Sequence, residues 1–151
     1  MEELVKRILG ASRKKLFRSK AIFEPFKPES NISFGAIEDE HGFKFPNDFR
    51  IWFNELGFGN IDEEFSFRAE WINVIKRGEL KGHVIFGQDG LGNFYSFSSK
   101  NGEIHYICRS APEFAKIHDS FREFIIELEQ RDYQIYDWVQ SLQTKPYDWS
   151  A

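Results

Sequence analysis

Three consecutive acids, Asp62, Glu63 and Glu64, are the first candidates for chemistry in the sequence, and Glu70 and Trp71 follow them closely. Two carboxylates held at a fixed separation can act as the acid and the base of a glycosidase. Adjacent acids in a polar segment more often line a solvated surface. Tryptophan is enriched in protein interfaces, and clustered acids attract a cationic partner. We therefore interpret these five residues as a protein-binding surface and not as a catalytic pair.

The segment QDGLGN, residues 88–93, contains a sixth candidate, Asp89. Its glycines resemble a phosphate-binding loop, and Asp89 with Asn93 suggests a calcium site. A phosphate loop, however, needs the N-terminus of a following helix, and a calcium loop needs a twelve-residue pattern that is absent here. The strand-like flanks instead predict a hairpin turn in which Gly90 and Gly92 adopt positive φ. We add Asp89 to the candidate binding surface.

The remaining reactive side chains are widely separated in the sequence. The four histidines, at positions 41, 83, 105 and 118, lack zinc-motif spacing, and we expect them on the surface or on edge strands. Arg109 could activate the Cys108 thiol, but a lone cysteine at a strand end is usually a small core residue. We expect no enzyme activity, no metal and no cofactor. The opposing hypothesis, a small hydrolase, requires a pocket that joins a carboxylate to a histidine.

Composition and charge favour a globular domain with a basic partner. The 151 residues are 41% hydrophobic and 17% aromatic, with 17 Phe, and the net charge is −4. Residues 38–64 are strongly acidic, whereas residues 1–20 are basic. An acidic centre repels nucleic acid and attracts cationic surfaces. The basic stretch RKKLFRSK (13–20) has a single aromatic residue for base stacking. We interpret it as the solvated face of a helix and expect no nucleic-acid partner.

The sequence has no feature that directs it to a membrane. Charges interrupt the N-terminal stretch, which excludes a signal-peptide core, and no window reaches the roughly 20 apolar residues that span a bilayer. A single cysteine suits a reducing compartment. We expect a cytoplasmic protein without a membrane partner.

Hydrophobic periodicity predicts five helices. Gly42 is placed to end the second helix in the left-handed conformation, and Pro46 suits the first helical position of the third. Ser120 and Glu123 have the spacing of a capping box at the start of the fourth. The predicted helices cover residues 4–17, 33–41, 45–57, 120–128 and 135–142.

Strand patterns occupy the middle of the chain. Asn101-Gly102 predicts a type I′ turn between the last two strands, and FEPFKPESN (23–31) predicts an extended connection. The order of elements predicts an α+β fold in which an antiparallel meander is covered on one side by helices from both ends of the chain. The predicted strands are FSFR (65–68), EWINVIK (70–76), HVIFG (83–87), NFYSFS (93–98) and EIHYIC (103–108).

Three segments together resemble the SUKH superfamily, which groups bacterial toxin-immunity proteins with a yeast regulator of cell-wall synthesis. In the first, an acidic helix ends at Gly42 and leads into FKFPNDFRIWF (43–53). The others are the hairpin of residues 84–97 and the helix start SFREFI (120–125). The likeness spans residues 33–128 of a single domain, residues 1–151, with the N-terminal basic helix and the C-terminal helix as extensions. The chain is most similar to immunity proteins of toxins with LXG-type export regions.

The resemblance implies a twisted antiparallel sheet, no enzyme activity and a function in binding and neutralising a secreted toxin, often a nuclease or a deaminase. It also implies structural roles for the motif residues: Phe45, Pro46, Phe49, Trp52 and Phe53 set a helix on the sheet, while Asp89, Gly90 and Gly92 shape a hairpin. With the acidic centre, this predicts an immunity protein whose acids pair with a basic, nuclease-like toxin. The alternative is a regulatory adaptor that binds a housekeeping protein.

Overall fold

The computed structural model describes residues 1–26 and 33–150. Within these residues the chain forms five α-helices and one short 3-10 helix, with α-helices near both ends of the chain. The α-helices are α1 Glu2–Gly10, α2 Phe34–His41, α3 Asn47–Glu55, α4 Phe121–Gln130 and α5 Tyr136–Gln140, and the 3-10 helix is Ala69–Trp71.

The strands form two antiparallel sheets. They are β1 Ser12–Lys14, β2 Ser19–Ala21, β3 Phe23–Pro25, β4 Gly59–Ile61, β5 Phe65–Phe67, β6 Asn73–Val74, β7 His83–Asp89, β8 Phe94–Ser98, β9 Ile104–Ile107, β10 Glu113–His118 and β11 Lys145–Pro146. Strands β1 and β2 form a separate hairpin, and the large sheet has the order β11-β10-β9-β8-β7-β5-β4-β3, with β6 beside β7. The α+β class and the meander β7-β8-β9 are therefore confirmed.

The main core lies between one face of the large sheet and helices α1, α3 and α4. Phe49 on α3 stacks on Phe121 of α4, with ring centroids 3.9 Å apart, and its ring lies 4.6 Å from that of Phe97 on β8. Trp52 is fully buried in the same layer. Burial of a side chain of this size contributes about 1.5–3 kcal/mol, so this aromatic layer fixes α3 and α4 on the sheet.

The second face of the large sheet is partly covered, so the prediction of a sheet covered on one side is wrong. Ile107 on β9 lies opposite Phe114 on β10, and both pack with Leu80 and Tyr147 in a smaller apolar cluster. Side chains alternate between the two faces along a strand, and the meander carries apolar residues on both. The segment around β11, with Tyr147, and residues 75–80, with Ile75 and Leu80, supply the cover.

Residue types at the helix ends predicted the boundaries of α2 and α4. The Ser33 hydroxyl accepts a hydrogen bond from the backbone N–H of Ala36, and Gly42 ends α2 with a φ of 72°. The Ser120 hydroxyl likewise accepts from the N–H of Glu123. These caps satisfy backbone donors that a helix leaves unpaired, which explains why they mark helix boundaries so well.

The predicted helix of residues 4–17 is wrong beyond Gly10. Helix α1 ends there, and the chain continues into the β1–β2 hairpin. Leu16, an apolar position of that predicted amphipathic helix, is 88% exposed at the hairpin tip. A glycine disfavours a helix interior, and long-range ion pairs of Arg13 and Lys20, described below, hold the alternative structure.

Three smaller predictions also differ from the structure. Pro46 is the residue before α3 and not its first helical residue. EWINVIK forms the 3-10 helix and the two-residue strand β6 instead of one strand. Only Gly102 of the Asn101-Gly102 pair has a positive φ, so the turn is not type I′. In the predicted connection 23–31, residues 23–25 form β3, and residues 27–31 lie outside the described residues.

Candidate functional site

The three consecutive acids form a tight turn between β4 and β5. The N–H of Glu64 donates to the carbonyl of Ile61, and the two central residues, Asp62 and Glu63, have φ values of 47° and 61°. Two successive left-handed residues define a type I′ turn, where Asn, Asp and Gly are the usual occupants. We call residues 62–64 the acidic turn. Its backbone is strained at Glu63, because a left-handed residue other than Gly, Asn or Asp costs about 1–2 kcal/mol.

The basic hairpin β1–β2 covers the acidic turn. The Arg13 guanidinium donates to both oxygens of Asp62, with an Nη2–Oδ2 distance of 2.8 Å, and it also contacts Asp132 at 3.2 Å. The Asp62 side chain is only 12% exposed. The charge of Asp62 is therefore compensated within the chain, which limits its contact with any partner.

Lys20, on the second strand of the hairpin, makes the other ion pairs at this joint. Its ammonium group contacts Glu63 directly and lies 3.1 Å from Glu24. The hydrogen bond and the charge of Lys20 lower the pKa of the Glu63 carboxyl. The Glu63 side chain nevertheless remains 66% exposed. Glu63 therefore keeps an open approach that Asp62 lacks.

Glu64 faces inward from the acidic turn. Burial raises the pKa of its carboxyl, the Tyr136 hydroxyl opposes this by hydrogen bonding, and the nearby carboxylates of Asp62 and Asp89 add to the rise. The backbone carbonyl of Glu64 also accepts from the N–H of Gly90. Glu64 thus links the acidic turn to the neighbouring β7–β8 turn.

Asp89 organises the β7–β8 turn from a buried position. Its carboxylate accepts hydrogen bonds from the N–H of Leu91 at 2.9 Å, from the N–H and side-chain amide of Asn93, and from the Tyr95 hydroxyl at 2.9 Å. Gly92 has the expected positive φ of 84°, but Gly90 does not. A Cβ at Gly90 would overlap the Tyr136 hydroxyl, so this glycine permits close approach instead of a left-handed turn.

Glu70 and Trp71 lie at the other end of β5, in the 3-10 helix. Arg68 places its guanidinium 5.1 Å from the centroid of the Trp71 ring and 4.3 Å from that of Phe26. The Glu70 side chain is 66% exposed and lies 3.6 Å from Arg68. The six predicted residues therefore form two groups, Asp62, Glu63, Glu64 and Asp89 at one end of β5, and Glu70 and Trp71 at the other.

The model of the SMI1/KNR4 family, SUKH-1, matches residues 29–127. The chain belongs to this family. Comparisons with curated proteins and with solved structures found no match. The predicted SUKH resemblance is confirmed, whereas the similarity to immunity proteins of LXG-type toxins stays a prediction.

The part that matches SUKH-1 contains the acidic turn and the β7–β8 turn, but the basic hairpin lies outside it. That contact does not follow from the sequence pattern, which predicts a helix over residues 13–20. One signal was available: residues 12–21 carry five cations and no acid, opposite in charge to the strongly acidic segment 38–64. Opposite charge alone, however, does not specify which acids pair.

A second contact missed in the sequence lies inside the SUKH-1 segment. Glu38, in the middle of α2, is 3% exposed and pairs with Arg50 of α3, with an Nη2–Oε2 distance of 2.6 Å. Its carboxylate also accepts from the N–H of Phe45 at 2.7 Å. Both charged residues were part of the motif that carried the family resemblance. The structure shows that they join α2 to α3.

Two histidines that the sequence separates lie side by side on the second face of the sheet. The rings of His83 and His105 have centroids 4.8 Å apart and line a groove of about 540 Å³ with Glu79 and Glu103. Burial is the main cause that lowers the pKa of both, that of His83 to about 4. His105 is thus more buried than predicted. Among residues 1–26 and 33–150, no group of three or more His, Cys, Asp or Glu could hold a metal ion.

Cys108 lies just beyond β9 and is half-buried, not a core residue as predicted. Its sulfur lies 3.4 Å from the Ser110 hydroxyl, which is the main cause that lowers the pKa of the thiol.

None of the helices in the described parts of the chain has the length and apolar content that a membrane-spanning helix requires.

Proposed function

We propose that this SUKH-1 protein is a cytoplasmic, non-catalytic immunity protein that binds and neutralises a cognate secreted toxin with a basic, nuclease-like surface. The match to SUKH-1 over residues 29–127 carries the proposal, together with the resemblance of its motifs to toxin-immunity proteins. A nuclease presents basic surface to the phosphates of its substrate. An acidic inhibitor can occupy that surface and associate rapidly through electrostatic steering.

The geometry divides the candidate residues by role. Glu63 and Glu70 are each about two-thirds exposed and offer carboxylates to Lys or Arg of the toxin. The half-buried Trp71 supplies an apolar anchor beside Glu70. Asp62, Glu64 and Asp89 hold the two turns in shape behind that surface, because their carboxylates are engaged within the chain.

Affinity capture with the tagged full-length protein, followed by mass spectrometry at moderate salt, tests the proposal. Recovery of a toxin encoded beside this gene supports it, and higher salt should weaken that complex. Recovery of housekeeping proteins alone would support the alternative, a regulatory adaptor. That outcome would also remove the toxin-binding role from the acidic turn.

Charge reversal then tests the surface with the recovered toxin domain. We expect Glu63→Lys and Glu70→Lys each to weaken binding about tenfold or more, because each places like charge against the basic toxin. Glu55→Lys, at an exposed position of α3, is the matched control and should leave affinity unchanged. Glu63 also contacts the basic hairpin, whereas Glu70 does not. If only Glu63→Lys weakens toxin binding, the effect is assigned to the contact between Glu63 and the hairpin. Unchanged affinity in both variants contradicts the proposed surface.

A further inference from the structure

The tip of the β1–β2 hairpin exposes two large apolar side chains. Leu16 is 88% and Phe17 is 95% exposed, well above every other exposed large hydrophobic residue of the described chain. The two residues form the connection itself, since Lys15 and Arg18 on either side pair through a backbone hydrogen bond from Lys15 N–H to the Arg18 carbonyl. The folded chain therefore holds both side chains in water.

The residue types at this connection are unusual for a hairpin. Two-residue hairpin loops favour Asn, Asp and Gly with positive φ, but neither Leu16 nor Phe17 has a positive φ. Neither turn formation nor burial within the chain explains a Leu-Phe pair at this position. An apolar pair at an exposed tip is typical of a surface that becomes buried against another body.

Charge is arranged in layers behind the tip. At the base, Arg13 and Lys20 are fixed by ion pairs to Asp62 and Glu63. Closer to the tip, Lys14, Lys15 and Arg18 have no ion pair with any described residue and are exposed. The hairpin thus presents an apolar tip, a cationic collar and an anchored base.

We propose that this hairpin docks on an anionic lipid bilayer, with Leu16 and Phe17 in the acyl–headgroup boundary and the collar against lipid phosphates. The layers of the hairpin match the layers of a bilayer surface, which attracts Lys and Arg and accepts apolar side chains. Two tip residues are too small to form a stable protein interface on their own, because such interfaces bury roughly 1,200 Å² or more over both partners. The proposal goes beyond the toxin-binding function and does not depend on it.

Peripheral docking is compatible with the absence of a spanning segment in the sequence. The expectation of no membrane partner rests on the lack of a signal-peptide core and of a bilayer-spanning window in the sequence. A hairpin that reaches the interface needs neither. Attachment by two apolar residues and three cations should be reversible and sensitive to salt.

Vesicle flotation of the full-length protein tests the proposal. We expect the protein to float with vesicles that contain about 30 mol% phosphatidylglycerol in phosphatidylcholine, and not with phosphatidylcholine alone. The double variant Leu16→Ser/Phe17→Ser should lose about tenfold or more of this binding. Leu91→Ser, at another exposed turn, is the matched control and should bind as the unaltered protein does. Absence of flotation with anionic vesicles, or equal flotation of the double variant, overturns the proposal.

A label at the tip distinguishes insertion from adsorption by charge. Phe17→Cys in a Cys108→Ser background, coupled to a fluorophore sensitive to polarity, should shift its emission to the blue on anionic vesicles. An unshifted label on bound protein means electrostatic adsorption only and overturns insertion. If the double variant instead loses toxin while vesicle binding never occurs, the tip is a protein contact. If the protein binds toxin but no vesicles, the bilayer proposal fails and the proposed immunity function still stands.

Discussion

Two joints between a carboxylate and an arginine differ in burial and in the segments that they connect. Glu38 is 3% exposed, pairs with Arg50 at 2.6 Å and joins α2 to α3 inside the SUKH-1 segment. Asp62 is 12% exposed, pairs with Arg13 at 2.8 Å and joins that segment to the N-terminal hairpin. Arg13 also reaches Asp132, whereas Arg50 has Glu38 as its carboxylate partner.

The comparison distinguishes a contact that the SUKH-1 segment needs to fold from a contact that only attaches the hairpin to it. A buried carboxylate that loses its cation keeps its desolvation cost, so the Glu38 joint should be indispensable to the domain. A pair nearer the surface exchanges its partner for water at little cost. The hairpin should therefore be able to move or be lost while the SUKH-1 segment stays folded.

The largest effect should come from Arg50→Ala. It leaves the buried Glu38 carboxylate with the Phe45 N–H and the distant Lys44, 3.9 Å away, as partners. We expect a loss of about 3 kcal/mol in the free energy of unfolding, measured by urea denaturation. Lys44→Ala is the control and should cost less than about 1 kcal/mol. Equal effects of the two variants would contradict the importance assigned to burial.

Asp89→Ala should follow, because Asp89 is, like Glu38, a buried carboxylate in the described part of the SUKH-1 segment. Its partners are neutral donors of the β7–β8 hairpin, Leu91, Asn93 and Tyr95, and a hydrogen bond to a charged group contributes about 1.5–3 kcal/mol to stability. We expect a loss of about 2–3 kcal/mol in the same denaturation measurement. Asp39→Ala, at an exposed position of α2, should stay within about 0.5 kcal/mol. A small effect of Asp89→Ala would mean that water replaces these donors.

The sequence predicted those features that depend on neighbouring residues. Caps at Gly42 and Ser120, the aromatic stripe of α3 and the meander β7-β8-β9 all have signals within a few positions, and the structure confirms them. The cluster of Asp62 with Asp89 follows from pairing of β5 with β7, which sequence spacing does not reveal. Long-range contacts depend on topology, and local propensity cannot encode it.

The β1–β2 hairpin shows why the helix predicted for residues 4–17 is wrong beyond Gly10. Residues 12–21 have a helix-compatible composition of Lys, Arg and Leu, but the structure pairs Arg13 with Lys20 across two strands and anchors both to distant acids. Tertiary ion pairs thereby override a weak helical preference. The same error hid the exposed tip, because Leu16 was counted as an apolar position of the predicted amphipathic helix.

The smallest effect should come from the hairpin joint itself, measured with Arg13→Ala, Asp62→Ala and the double variant. We expect a coupling energy of about 1 kcal/mol or less between the two residues, because the Asp62 carboxylate is 12% exposed, against 3% for Glu38, and water can solvate it when Arg13 is removed. Sodium chloride at about 1 M should reduce the coupling further, since screening acts on exposed charges. Lys6→Ala, on the exposed side of α1, provides the control. A coupling as large as the effect of Arg50→Ala would place the hairpin in the same cooperative unit as the SUKH-1 segment. Weak coupling, by contrast, would leave the tip free to follow a bilayer surface while the domain behind it stays folded.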